Sequence, residues 1–172
     1  MNEFSSWHVG IAAEAYAAAL FARCGYDVSV QYGANQPEHD LIAVSGDLML
    51  KISVKGSKDG SWGLSQSYKK GRDYHEANQA WLEAHHKGTI FCLVQFSNTA
   101  VDEMPRVYLA APAEIAERMN DTARGRGDTI LYENHTWTAR AVGSGSTDRI
   151  PESWKFSPVR IKEMWLFPRK CG

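Results

Sequence analysis

Glu14, Asp40, Ser53 and Lys55 are the residues of this chain whose types and spacing carry chemistry. Glu14 lies in the Ala-rich segment WHVGIAAEAYAAALFARCG, where Trp7, Ile11, Glu14, Ala18 and Phe21 recur at helical spacing and share one face. A carboxylate in an apolar stripe needs a partner or a cation, because a charge taken out of water without one is costly. The next segments supply candidates: Asp40 opens DLIAV, and Lys55 lies toward the end of LMLKISVKGS. Two acids and a lysine are the ingredients for cutting a phosphodiester. Hard carboxylate oxygens hold a cation that offsets charge on the transition state, and an ammonium group stands by the attacking or leaving oxygen.

Such residues must be carried by particular elements. Ser5 and Ser6 suit the cap of a helix running from about Trp7 to Cys24, with Gly25 in the C′ position. YDVSVQY reads as an alternating strand, GANQPEH as a turn-rich connector and DLIAV as a buried strand. Ser45, Gly46 and Asp47 form a hairpin turn into LMLKISVK. Alternation there sends Leu48, Leu50, Ile52 and Val54 to one face and Met49, Lys51, Ser53 and Lys55 to the other. Asp40 then pairs with the region from Lys51 to Ser53. Ser53 and Lys55 look into one pocket, which the first helix overhangs with Glu14.

GSKDGSWGLSQS reads as a loop, followed by a second helix from about Arg72 to His86 that Gly88 stops, and TIFCLVQF as a buried strand. VYLAAP is a fifth strand, AEIAERMNDTA a short helix after Pro112, DTILYE a further strand and GSGSTDR a flexible surface loop. The tail SPVRIKEMWLFPRK is a docked end with a basic rim. Its Trp165 and Phe167, with Trp154 and Phe156, serve equally as core or interface. The expected architecture is one α/β domain over residues 1–172, a mixed central sheet with helices on its faces.

A formal net charge of −1 and a pI near 6.6 exclude a uniformly basic surface, so any polyanion must meet a local patch. Tyr68, Lys69, Lys70 and Arg72 are candidates to grip phosphates, with Trp62 as a stacking surface; Lys58 and the run Arg124, Gly125, Arg126 offer further cations. Cys24, Cys92 and Cys171 fit neither a disulfide framework nor a zinc site, which points to a reduced, cytoplasmic setting, with Cys24 and Cys92 as core packing. No basic leader with an apolar run and no membrane-length apolar stretch is present in the sequence. His85 and His86 read as a solvated helix end and His39 as a turn residue.

The order of Glu14 in a small-residue helix, then GYDV, then PEHDLIAV, then ISVKGS resembles the PD-(D/E)xK nuclease superfamily. Within it, the chain is most similar to archaeal-type Holliday junction resolvases and related small endonucleases, over about its first half. The resemblance implies a restriction-endonuclease-like α-β-β-β-α-β core and endonuclease action on DNA with Mg²⁺ or Mn²⁺. It implies metal-holding roles for Glu14, Asp40 and the main-chain carbonyl of Val54, and a catalytic role for Lys55. Resolvase-like relatives pair two sites, which makes a homodimer an expectation.

One position departs from the pattern: Ser53 stands where the acid of the (D/E)xK triplet belongs. A hydroxyl is a poor Mg²⁺ ligand beside a carboxylate. Three readings follow. Glu14 and Asp40 suffice with extra waters; Asp59, Glu38 or Asp47 enters the site; or cleavage is lost, leaving a module that binds nucleic acid or a protein partner.

Overall fold

Small side chains decide how the first helix meets the sheet. The computed structural model describes residues 4–31 and 38–170, with side chains as far as residue 166. Helix α1 spans Ser6–Arg23, and its N-cap Ser5 exchanges hydrogen bonds with His8 in a capping box, a device that stabilises a helix by about 1 kcal/mol. Its buried residues are Val9, Ala13, Ala17 and Phe21. This corrects the expected stripe: Trp7 is 69% exposed and Ile11 49%, and Glu14 sits at the flank of the buried face. The alanines let α1 lie close on the sheet, and Gly56 completes the fit. A Cβ at Gly56 would come within 2.8 Å of Val9 Cγ1 and 2.9 Å of Ala13 Cβ.

The strands are β1 (Asp27–Val30), β2 (Leu41–Ser45), β3 (Leu48–Ser57), β4 (Ser61–Gly63), β5 (Thr89–Gln95) and β6 (Arg106–Ala110). Five form a sheet in the order β1-β2-β3-β5-β6. Strands β2 and β3 are a hairpin closed by Gly46, at φ +59°, and Asp47. Strands β3 and β5 are parallel, which requires a crossover connection between them; the crossover carries α2 (Tyr74–Glu83). The other neighbours are antiparallel, so the sheet is mixed. The expected order helix, three strands, helix, strand is present, with β4 and a 3₁₀ turn (Gln66–Tyr68) between the third strand and α2. The protein is therefore α/β, with a central mixed sheet flanked by helices.

One face of the sheet presents Leu50, Ile52, Val54 and Cys92 to Ala13, Ala17 and Phe21 of α1 and to Ile161 and Met164 of α4 (Pro158–Lys170). Against the other face, Phe91 and Leu93 meet Trp81 of α2 and Ile115 and Met119 of α3 (Pro112–Gly125). Burial on both faces explains the unbroken apolar run of β5.

Helix α2 is shorter than expected from Arg72 to His86, because the Asp73 carboxylate caps it in a box with Glu76. The chain then adds β7 (Ile130–Tyr132), paired with β4, and a hairpin of β8 (Asn134–Thr136) and β9 (Thr147–Arg149). Strand β9 corrects the reading of GSGSTDR as wholly flexible loop: Asp148 within it is buried and hydrogen-bonded. The tail is docked, with Ile161, Met164 and Arg160 buried. Cys92 is core, its thiol pushed up to about 12 by burial, and Cys24 is partly buried; Cys171 lies outside the described residues, as does most of the expected connector GANQPEH. Among the described residues, no helix is long and apolar enough to cross a membrane.

Candidate active site

Strand β3 outruns β2. Their last pair is Leu41 with Ile52, while β3 continues to Ser57, which leaves an open edge from Ser53 onward on that side. Asp40 turns at this edge. Its N–H donates to Ile52 O at 2.8 Å and its carbonyl accepts from Gln31 N at 2.8 Å. The Asp40 carboxylate accepts from Val54 N at 2.6 Å and, at the limit of hydrogen bonding, from Ser53 Oγ at 3.5 Å. Both bonds fall on Oδ2, and Oδ1 has no hydrogen-bond partner among the described residues. Because N–H and C=O of one strand residue leave from the same edge, the Val54 carbonyl faces the Asp40 side.

Glu14, half-buried on α1, has its carboxyl raised above the ordinary range, first by desolvation and then by the negative charge of Asp40, while Lys55 opposes the rise. The helix, the turn before β2 and the middle of β3 thus bring three charges into mutual reach. The manner differs from the expected overhang. Helix α1 packs on the face of Ile52, Val54 and Gly56, whereas Ser53 and Lys55 alternate onto the other face. Glu14 therefore lies on the α1 side of the sheet and is coupled to Asp40 and Lys55 by charge rather than overhanging a shared pocket.

Lys55 forms no ion pair among the described residues. It borders two hollows. One, of about 280 Å³, runs between Ser6 and Val9 of α1 and the segment from Lys55 to Leu64. The other, of about 320 Å³, is lined with Tyr68, Trp81, His85 and Phe91. His85 is more than a solvated helix end here, since its Nδ1 is 2.7 Å from Trp81 O and its ring packs on Trp81 and Phe91.

Whether these donors suit a divalent cation depends on Ser53 and its substitutes. Ser53 is 2% exposed and points its hydroxyl at Asp40, bringing no charge. The Glu38 carboxylate accepts from His86 N at 3.0 and 3.1 Å. Asp47 occupies the hairpin turn at the far end of β2 and β3. Asp59 accepts from Ser57 Oγ at 3.0 Å and from Ser61 N and Oγ at 3.1 Å. Desolvation pushes the Asp59 carboxyl up, but those bonds together hold it below its ordinary range. No three His, Cys, Asp or Glu side chains converge among the described residues. What remains is two carboxylates and one main-chain carbonyl, all hard oxygens. That set fits Mg²⁺, which keeps several waters and binds through one or two carboxylates plus substrate phosphate.

The other expected contacts distribute unevenly. Lys58 borders the smaller hollow and donates from Nζ to Phe4 O at 2.6 Å. Lys69 donates to Arg72 O at 2.7 Å and lies 4.6 Å above the Tyr74 ring, while Arg72 donates to Tyr68 O at 3.1 Å. Lys70 is exposed. Trp62 is not the exposed stacking surface expected of it: it is buried against Tyr108, and its Nε1 donates to Lys55 O at 2.9 Å. That bond and Gly56 are the positioning contacts missed by sequence reasoning. The available signal was a glycine directly after the lysine, inside a strand.

No family model matches the chain. No curated protein matches it either. Among solved structures, a bacterial homing endonuclease is similar with a TM-score of 0.48 and 14% identity, over 97% of this chain and 96% of that one. The likeness is one of chain path, and the functional reading stands on the side chains.

Proposed function

We propose that this protein is an endonuclease that hydrolyses DNA phosphodiester bonds with a divalent cation, Mg²⁺ or Mn²⁺. The observation that carries the proposal is the open edge of β3. There Asp40 grips the Val54 N–H next to Lys55, and Glu14 senses the charges of both.

Glu14, Asp40 and the Val54 carbonyl are the residues that would hold the cation. When bound, it supplies charge compensation at the phosphate and acidifies a water. Asp40 is aimed by the Val54 N–H, so its other oxygen is presented without a search among rotamers. Lys55, with no carboxylate within ion-pair distance among the described residues, has its ammonium available to a phosphate oxygen or to the attacking water. Ser53 contributes a hydrogen bond to Asp40 in place of a third negative charge, which leaves cation affinity low.

Cleavage of supercoiled plasmid and of branched, nicked and single-stranded oligonucleotides tests the proposal. Wild-type protein is expected to cut at least one with Mg²⁺ or Mn²⁺. Asp40→Asn and Lys55→Ala are expected to abolish cutting without changing the circular dichroism spectrum, and Ser53→Glu to preserve or raise it. Absence of cutting on every substrate overturns the proposal.

A second function is favoured by Ser53 itself: a module of this fold that binds nucleic acid or a protein partner without cleaving. Salt-dependent DNA binding indifferent to EDTA and to Asp40→Asn, with no cleavage, is its signature.

A further inference from the structure

Away from the carboxylates, three loops are locked together around Arg126. Its guanidinium lies between two rings, 5.2 Å from the centre of Tyr74 and 4.8 Å from that of Trp137, and its NH2 meets Asp128 Oδ2 at 3.0 Å. Tyr74 opens α2, Arg126 follows α3, and Trp137 begins the loop between β8 and β9. His75 ties α2 to Gly125 O at 3.0 Å. The Asp148 carboxylate of β9 receives the Arg118 guanidinium, Ala123 N at 2.9 Å and Trp137 Nε1 at 2.6 Å.

These ties hold a backbone that L-residues rarely adopt. Ala123 and Arg124 both stand in the left-handed region, at φ 54° and 59°. Such conformations cost about 1 kcal/mol or more each and persist where the surroundings over-determine them, commonly at ligand-binding sites. Gly143 packs on Ala123 so tightly that a Cβ there would lie 2.8 Å from Ala123 Cα. The result is an exposed Arg124 on a fixed loop, its NH2 beside Gly145 of the hairpin loop.

The surface so built is basic although the chain as a whole is not. Lys70, Arg124 and Arg140 are exposed and form no ion pair among the described residues. Of the acids around it, Asp73 and Glu76 are engaged in the helix cap, Asp128 by Arg126 and Asp148 by Arg118, and Asp121, three residues before Arg124, is exposed. The surface is also continuous with the candidate active site, because Tyr68 lines the hollow of Lys55 and is followed directly by Lys69, Lys70 and Arg72.

We infer that this surface, from the loop of Lys70 and Arg72 to the β8–β9 hairpin loop with Arg140, is a second DNA-binding site that grips the phosphates of the duplex flanking the scissile bond. The inference deepens the proposed endonuclease function by assigning duplex DNA as the form engaged. The rings of Tyr74 and Trp137 are occupied with Arg126, so they offer no platform for unpaired bases, whereas the free cations suit a run of phosphates. An array of cations of this kind positions the duplex and adds affinity independent of sequence.

Fluorescence anisotropy on a labelled 30-bp duplex in EDTA, across a salt series, tests the inference without requiring cleavage. Wild-type affinity is expected to fall linearly with salt on logarithmic axes. The double variant Arg124→Ala/Arg140→Ala is expected to bind about tenfold or more weakly at low salt and to lose about two from the slope. Arg124→Lys/Arg140→Lys keeps the charge and retains most binding. Lys51→Ala/Lys87→Ala, equal in charge but elsewhere, is expected to change little. Equal losses in the two Ala pairs, no salt-dependent duplex binding by wild type, or preference for a single strand or RNA of the same length each overturns the inference. Intact duplex binding without cleavage counts against the catalytic proposal alone.

Discussion

Two sets of acids in this molecule are treated in opposite ways. At the junction of α3, α4 and the β8–β9 hairpin, both oxygens of Glu114 and both of Asp148 have donors. Glu114 takes Arg160 NH2 on both oxygens, at 2.8 and 2.7 Å, and Ala111 N at 2.8 Å; Asp148 takes Arg118 on one oxygen and Ala123 N and Trp137 Nε1 on the other. Arg160, 7% exposed in its side chain, also donates to Leu109 O at 3.1 Å. At the open edge of β3, Asp40 uses one oxygen among the described residues, and Glu14 is half-buried beside a like charge with Lys55 as its opposing influence. The first arrangement fastens elements. The second leaves negative charge available, which is what a ligand requires and what structure alone does not explain.

Substitutions separate the two. The largest effect belongs to Arg160→Ala, which leaves Glu114 without its guanidinium partner in a mostly buried setting; a loss of about 3–5 kcal/mol is expected in urea denaturation. A loss no greater than that of Glu14→Gln would erase the distinction. Gly56→Ala comes next. Overpacking against Val9 and Ala13 should cost about 1–3 kcal/mol and, by pushing α1 away, weaken cleavage more than stability alone accounts for. Glu14→Gln is expected to change stability by less than about 0.5 kcal/mol while removing cleavage.

The smallest effect is one of sign. Glu14 is raised, so its contribution to stability is full below the ordinary carboxylate range and is lost as pH rises through its folded value. Asp59 in the neighbouring hollow is lowered, so its contribution is present above that range and is lost as pH falls through its folded value. Denaturation midpoints followed from about pH 3 to 7 should therefore show Glu14→Gln removing a decline toward neutral pH and Asp59→Asn removing one toward acid.

Much of this arrangement is legible in the sequence, and the misses share a cause. The hairpin of β2 and β3 follows from strict alternation around Gly46 and Asp47, and with it the register that sets Asp40 against Ser53. The buried face of α1 does not follow from hydrophobicity. Trp7 and Ile11 outweigh Ala13 and Ala17 on any apolar scale, yet closeness to the sheet favours the small residues, and only the contact with Gly56 reveals it. The overhang of Glu14 failed for the same reason: a helix that packs on one face does not overhang residues of the other. The hairpin holding Asp148 was hidden by a Gly and Ser composition that ordinarily marks loops, because its order comes from Trp137, Arg118 and Ala123, distant in sequence.

Manganese binding followed by electron paramagnetic resonance tests the central claim most directly, namely that Glu14 and Asp40 leave oxygen donors for a cation. The arrangement predicts one Mn²⁺ site in the wild-type protein, lost in Asp40→Asn, weakened in Glu14→Gln and strengthened in Ser53→Glu. Binding that is absent from the wild type, or unchanged when Asp40 is replaced, contradicts it.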